Sequence, residues 1–361
     1  MVYAMFSIGI LGFLVWSLIF PLLQGEELVA LSYREEGVIN LAVCWNSLTL
    51  LGTFSCKNLS SYTQSAGNRH FISNTSSSET ICEISCQNFN TFNKIYRELG
   101  FTTYISDHWL SWFIGFTEGD GAILSYNGRP LFVLTQKEES VLQHILSVLG
   151  FGTVRKIDNN GTIVYRYIVE DFTGILLLAT IFNGNLVIPH RQKQLGKWLF
   201  DINRKLVTPG SRIYGLCSTI VISTCLFKPS LKDAWLSGFT DAEGTFNVNI
   251  TKRANTVTGY RVQLRYLLDQ KYAIDLLTHI STLFGHGKVI VRSTEMYRYY
   301  CDSFIGLGKV CNYFESFPLK TKKSNSFYNW LKVFKMVLNK EHLTADGLET
   351  IRSIKKTVNP S

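Results

Sequence analysis

The first 25 residues carry no charge and are apolar almost throughout, running MVYAMFSIGILGFLVWSLIFPLL as far as Leu23. About 20 such residues suffice to cross a bilayer core. The stretch lacks the basic start of a secretory signal and the arginine-rich face of a transit peptide. No second run of comparable length follows. From about Glu26 to Gly100 no period emerges, and clusters such as Ser73-Asn74-Thr75-Ser76-Ser77-Ser78 predict a mostly irregular connector. Beyond Ser106 the pattern becomes regular. In 246–252 the apolar Phe246, Val248 and Ile250 alternate with Asn247, Asn249 and Thr251. In 261–266 Val262, Leu264 and Tyr266 alternate with Arg261, Gln263 and Arg265. Period 2 predicts strands with one face on a core and the other open.

The regular region contains an internal repeat. Trp109-Leu110-Ser111-Trp112-Phe113-Ile114-Gly115-Phe116-Thr117-Glu118-Gly119-Asp120-Gly121 returns as Trp235-Leu236-Ser237-Gly238-Phe239-Thr240-Asp241-Ala242-Glu243-Gly244, with Asp120 and Glu243 123 residues apart. Strand-like alternation follows each copy, then Thr135-Gln136-Lys137 or Asp269-Gln270-Lys271, then a helical pattern closed by Gly150-Phe151-Gly152 or Gly285-His286-Gly287. A tyrosine-rich strand comes next, Tyr165-Arg166-Tyr167 or Tyr297-Arg298-Tyr299. A basic turn into a Trp-containing helix ends each unit, at His190 to Trp198 and Lys320 to Trp330. Two copies of one architecture in tandem predict an α+β fold of two pseudo-symmetric αββαββα units. The expected organisation is an apolar segment at 1–25, a connector at 26–104, a first unit at 105–205, a linker at 206–228 and a second unit at 229–361.

Charge sharpens this picture. Residues 1–100 hold five basic and seven acidic side chains, whereas 101–361 hold 31 basic and 20 acidic. A folded region with that surplus suits a polyanion, since each neutralised phosphate releases condensed counterions. The open strand face just described, polar and cationic without acids, suits phosphates and base edges. The eight cysteines are scattered without the paired spacing of a structural zinc site.

The repeated element itself carries the candidate chemistry. It reads as a helix, capped by Ser106 or Asp107 in the first copy and by Ser230 with Asp233 in the second. Gly115 and Gly119 lie four apart on one helix face, as do Gly238 and Ala242, so two such helices can pack backbone to backbone. A crossing there brings Asp120 and Glu243 together at the helix ends. Paired carboxylates repel unless a hard cation lies between them, and magnesium held by carboxylates and substrate phosphates suits phosphodiester hydrolysis.

Gly115-Phe116-Thr117-Glu118-Gly119-Asp120-Gly121 and Gly238-Phe239-Thr240-Asp241-Ala242-Glu243-Gly244 resemble the two motifs of a single-chain LAGLIDADG homing endonuclease, over roughly residues 105–361. The resemblance implies motif helices at the interface between units, and a saddle-shaped sheet from each unit in the DNA major groove. It also implies cleavage across the minor groove with short 3′ overhangs. It places the metal-binding acids at Asp120 and Glu243, assisted by the carbonyls of Gly119 and Ala242, with magnesium as cofactor and manganese able to substitute. Gln136 and Gln270 match the polar residue that positions water. Lys322 matches the basic residue that stabilises the transition state, with Arg191 as its first-unit equivalent. The DNA-binding set is Asn247, Asn249, Thr251, Arg261, Gln263, Arg265, Arg166, Arg298, Lys320 and Lys323. Two departures stand out: Trp112-Phe113 where smaller residues are common, and Arg191 in place of a lysine.

Residues 1–17 resemble a transmembrane stretch of mitochondrial cytochrome c oxidase subunit I, except that Leu18 and Ile19 follow Trp16-Ser17 where that family has two histidines. This implies a reading frame that starts in an exon and continues into an intron, made in a mitochondrion. The expected partner is double-stranded DNA at the intronless exon junction, bound by a monomer over on the order of 20 bp. The rival partner is host intron RNA, bound by an RNA maturase; acids at both Asp120 and Glu243 favour cleavage.

Overall fold

The computed structural model describes residues 87–159, 161–223 and 227–359. The apolar segment 1–25 and most of the connector lie outside them. Among the described residues no helix is long and apolar enough to cross a membrane.

The architecture is α+β, with two four-stranded antiparallel sheets of equivalent topology. The first unit runs α2 (Asp107–Asp120), β1 (Gly121–Tyr126), β2 (Arg129–Gln136), α3 (Glu139–Leu149), β3 (Thr153–Asn159), β4 (Thr162–Val169), α4 (Phe172–Phe182) and α5 (Pro189–Val207). The second repeats the order as α6 (Trp235–Glu243), β5 (Gly244–Lys252), β6 (Tyr260–Lys271), α7 (Ile274–Phe284), β7 (Lys288–Ser293), β8 (Met296–Cys301), α8 (Phe304–Ser316) and α9 (Lys323–Leu338). A short 3₁₀ turn, Glu341–Leu343, and α10 (Ala345–Val358) follow. The sheet orders are β1-β2-β4-β3 and β5-β6-β8-β7.

Each unit therefore has one helix more than the αββαββα expected, α4 and α8, and the second adds α10. The connector reading is also too long at its C-terminal end. Helix α1 (Asn90–Glu98) lies within it and buries Phe92, Ile95 and Tyr96, the i, i+3, i+4 stripe of an amphipathic helix. The Tyr96 hydroxyl donates to the Leu149 carbonyl at 3.0 Å, tying α1 to the first unit.

Local chemistry explains the element ends. Ser106 caps α2, its Oγ accepting from the Trp109 N–H at 3.3 Å. Ser230 and Asp233 do bond each other, at 2.7 Å, but in the turn ahead of α6, which begins only at Trp235. Asn127 and Gly128 both take positive φ, 48° and 71°, the two-residue Asn-Gly hairpin that matches strand twist. Gly152 and Gly287 let the backbone pass against Tyr167 and Tyr299, whose hydroxyls donate to the Phe151 and His286 carbonyls. Asn203 and Asn183 each bond the 206–228 linker twice, at Ile220 and at Val221 with Ser223, holding it on the first unit.

Aromatic side chains fill the space between each sheet and its helices. Phe113, Phe132, Phe182 and Trp198 form one core, and Phe246, Phe314, Phe327 and Trp330 the equivalent core in the second unit, all fully or almost fully buried. The Trp198 and Trp330 indoles donate to the Leu124 and Asn247 carbonyls, fixing the last helix of each unit on its sheet.

Candidate active site and nucleic-acid interface

Helices α2 and α6 cross as their glycines require. A Cβ on Gly115 would lie 2.0 Å from the Trp235 carbonyl oxygen, and one on Gly238 would lie 1.8 Å from that of Trp112. One turn on, a Cβ on Gly119 would meet the Ala242 Cβ at 2.3 Å and the Glu243 Cγ at 3.2 Å. The crossing thus sets the two helix C-termini side by side, with Asp120 ending one and Glu243 the other. Helix C-termini carry partial negative charge, so four negative poles converge here.

The acids respond accordingly. Loss of surrounding water, then the Asp120 carboxylate, pushes Glu243 up to about 7, opposed by Lys323 and Arg191. Asp120 is also raised, first by desolvation at the crowded helix end. Gln136 opposes that shift, donating from Nε2 to the Asp120 carboxylate at 2.7 Å. Gln270 occupies the equivalent register in the second sheet, since Gly121 pairs with Leu134 as Gly244 pairs with Leu268. It is buried, and among the described residues it makes no hydrogen bond to Glu243.

Two further carboxylates, Glu118 and Asp241, hold the crossing together. Glu118, fully buried, accepts from the Val187 and Ile188 N–H groups at 2.7 and 2.6 Å and from the Trp235 indole at 2.7 Å. Asp241 mirrors it, accepting from the Lys320 N–H at 2.8 Å, from Thr321 and from the Trp112 indole at 2.8 Å. Each acid therefore ties the opposite motif helix to the turn before its own unit's last helix. Trp112, unusual at its motif position, earns its place as a donor to Asp241. The sequence reading passed over both acids, although each recurs at the 123-residue offset two places before a candidate metal ligand.

Burial dominates at Glu118, which is pushed up to about 7 against its three N–H donors and Arg191. Glu118 and Glu243 thus keep protons in the folded chain that an unfolded chain releases near pH 4.5. Their contribution to stability is fully present below that value and is lost as pH rises to about 7. The slope is at most about 1.4 kcal/mol per pH unit for each group. Urea unfolding in metal-free buffer is expected to show this fall between pH 4.5 and 7, and Glu243→Gln to remove one group's share.

The cations at the centre are Arg191 and Lys323. Arg191 donates to the carbonyls of Glu118 and Gly119, both at 3.3 Å. Lys323 donates from Nζ to those of Thr240 at 2.9 Å and Ala242 at 3.2 Å. Burial lowers the pKa of each, opposed by neighbouring carboxylates that include Asp120 and Glu243. Lys323, not Lys322, is therefore the counterpart of Arg191. Lys322 is exposed at the start of α9, its N–H donating to Glu138. Arg191 and Lys323 each stand seven residues ahead of their unit's core tryptophan, Trp198 or Trp330, although Arg191 is the third residue of α5 and Lys323 the first of α9. Lys320 lies over the Trp112 ring, 5.7 Å from its centre, in the turn before α9 rather than on a sheet.

The open face of the second sheet carries Asn247, Asn249, Thr251, Arg261, Gln263 and Arg265, paired across β5 and β6 as Asn247–Arg265, Asn249–Gln263 and Thr251–Arg261. It is not free of acids. Asp269 lies two residues along from Leu267 on that face and receives Arg298 at 2.6 and 2.5 Å and Arg292 at 2.9 Å. Burial pushes Asp269 up, yet the two arginines hold it below the ordinary carboxylate range. Arg298 is thus clamped to Asp269. Arg166, by contrast, is exposed on the open face of the first sheet, opposite Thr135 and Arg155.

Among the described residues no cluster of three or more His, Cys, Asp or Glu is placed to hold a metal. The pair Asp120 and Glu243 offers hard oxygens of like charge at two helix C-termini, a donor set that fits one hard divalent cation completed by phosphate and water.

Residues 236–334 match the family model described as LAGLIDADG endonuclease. The chain is 35% identical over 262 residues to the probable intron-encoded endonuclease 4 of Neurospora crassa, covering 71% of this chain and 46% of that protein. It is 27% identical over 238 residues to a 37.2 kDa protein of cox1 intron 2 in Schizosaccharomyces pombe, covering 66% and 69%. In three dimensions it is similar to the LAGLIDADG meganuclease I-AabMI bound to uncleaved DNA, with 25% identity, a TM-score of 0.56 and coverage of 69% of this chain and 99% of that one. The chain belongs to the LAGLIDADG endonuclease family. It spans about half the length of the Neurospora relative.

Proposed function

We propose that this chain is a site-specific DNA endonuclease that binds duplex DNA as a monomer and hydrolyses both strands at a divalent-metal centre between Asp120 and Glu243. The observation that carries this reading is the convergence of those two acids, one from each unit, at the crossing of α2 and α6. A bound magnesium, or manganese in its place, would supply Lewis-acid stabilisation at the scissile phosphate and help activate the attacking water. Asp120 and Glu243 would hold the cation, assisted by the carbonyls of Gly119 and Ala242; a carbonyl oxygen has two lone pairs, so each could keep its Arg191 or Lys323 bond. Arg191 and Lys323 offset the negative charge that collects at the helix ends and stabilise what develops on the phosphate. Gln136 orients the Asp120 carboxylate, and with Gln270 positions water.

The second sheet's Asn247, Asn249, Thr251, Arg261, Gln263 and Arg265, and Arg166 of the first, contact the duplex. The cox1-intron relative supports a chain encoded in an oxidase subunit I intron, and the likeness of residues 1–17 to the oxidase makes them the part derived from the upstream exon. Its role is then intron homing in the mitochondrion, with the intronless exon junction as target.

The two lysines provide a direct test. With an oligonucleotide duplex of that junction and magnesium, Lys323→Ala is expected to slow cleavage by on the order of 100-fold, as loss of a preorganised charge does. Lys322→Ala should change the rate by less than about threefold, as loss of one phosphate contact does. Equal rates for the two variants would remove Lys323 from the centre, and failure of chelation with EDTA to stop the wild type would remove the metal.

A further inference from the structure

The two open sheet faces, equivalent in topology, differ in chemistry. Where the second sheet presents mainly amides, a hydroxyl and arginines, the first presents Leu124, Leu131, Val133, Ile157, Val164 and Ile168 beside Arg129, Thr135, Arg155 and Arg166. Strand register joins four of these in one patch, with Leu124 facing Leu131 and Val133 facing Ile168 across β1, β2 and β4, while Ile157 and Val164 lie beyond the polar row of Thr135, Arg166 and Arg155. Their neighbours one position along, Ile123, Phe132, Leu134 and Tyr167, are fully or almost fully buried in the core. The patch side chains are only half-buried or exposed, and Leu124 keeps 44% of its surface in solvent. A contiguous apolar patch of this kind marks an interaction surface.

The surroundings of the patch indicate what covers it. Strand β1 begins at Gly121, directly after Asp120, so the patch is continuous with the acid pair. Arg129 and Arg166 flank it, and neither is ion-paired among the described residues. Glu170, just past the end of β4 and on this side, is tied to Arg155 at 3.0 Å. An apolar field bordered by cations suits base edges between two phosphate backbones. In the major groove an A·T pair presents the 5-methyl of thymine, the one apolar group on a base edge, beside its N7, N6 and O4, whereas a G·C pair presents only N7, O6 and N4 groups that demand hydrogen bonds. Pressing those groups against leucine and valine leaves them unsatisfied.

We propose that the first unit reads its half-site through thymine methyl groups, favouring successive A·T pairs, while the second unit reads its half by hydrogen bonds. This rests on the DNA endonuclease reading above and assigns a different specificity to each sheet. Each methyl buried against the patch contributes about fourfold in affinity, by the transfer free energy of one such group.

The test begins with a randomised duplex library bound by the full chain. Selected sites are expected to carry a run of A·T pairs in one half only. Replacing every thymine of that half by uracil keeps base pairing but removes the methyls, and should weaken binding tenfold or more. The same replacement in the other half should cost less than threefold. The variant Leu131→Asn/Val133→Thr should lose the first penalty while still binding the second half. Equal uracil penalties in the two halves, or a variant that retains the first penalty, would overturn this inference and leave the endonuclease reading standing. A folded chain that selects no duplex would overturn both. A variant with unaltered DNA discrimination but a weaker concentration-dependent dimer would assign the patch to a second copy of the chain.

Discussion

Glu243→Gln is expected to bind the junction duplex as well as the wild type or better and to cut it on the order of 1,000-fold more slowly. The substitution keeps the side chain's shape and its place against Gly119. It removes one of two carboxylates whose repulsion the cation must offset. Glu243 is pushed up to about 7 by burial and by Asp120, so in the free protein near neutral pH it is poised between its charged and neutral forms. A neutral amide there relieves the repulsion from phosphate, which is why binding is not lost. Metal-assisted charge stabilisation is worth several kcal/mol, which sets the size of the rate loss. Filter binding alongside single-turnover cleavage separates the two effects. Parallel loss of binding and cleavage would make Glu243 a structural residue.

Gly238→Ala has the largest expected effect on stability. Its Cβ would lie 1.8 Å from the Trp112 carbonyl oxygen and 2.7 Å from the Phe116 nitrogen, both backbone atoms that cannot rotate aside. The helices must part, and with them the indole bonds to Glu118 and Asp241 that span the crossing. Overpacking of this severity costs about 3 kcal/mol or more, a large share of a typical domain's stability. Gly308, in the interior of α8, is the control: a Cβ there meets nothing within 4 Å, so Gly308→Ala should stabilise by roughly 0.5–1 kcal/mol through helix propensity. Urea midpoints for the two variants should move in opposite directions. A Gly238→Ala chain as stable as the wild type would contradict the close crossing.

What could be read from the amino-acid sequence, and what could not, follows from the range of the interactions. Gly115 and Gly238 recur at one offset with small residues four places on, so the crossing and the meeting of Asp120 with Glu243 were legible from local spacing. The second sheet's open face was legible because Phe246, Val248 and Ile250 alternate strictly with polar residues. Helix α4 was not, since nine of its eleven residues are buried and a helix apolar all round has no amphipathic period. The clamp of Asp269 on Arg298 depends on the pairing of β6 with β8, which no single strand reveals. Lys322 and Lys323 stand side by side, and residue type alone does not separate them. The choice between them turns on register to the core tryptophan, seven residues on from Lys323 as from Arg191. The first sheet's apolar open face was overlooked for a related reason. Leu131-Phe132-Val133-Leu134 is a continuous apolar run, and only register shows that Leu131 and Val133 turn away from the core.

Two units that join their motif helices into one metal-dependent centre should cut both strands of DNA. The most direct test is to incubate the full chain and magnesium with a plasmid carrying the intronless oxidase exon junction, beside an Asp120→Asn/Glu243→Gln control. The account predicts linear plasmid broken near the junction with the wild type and intact plasmid with the control. Intact plasmid from a folded wild-type chain that binds the duplex would contradict it, and would make binding of host intron RNA the activity to examine next.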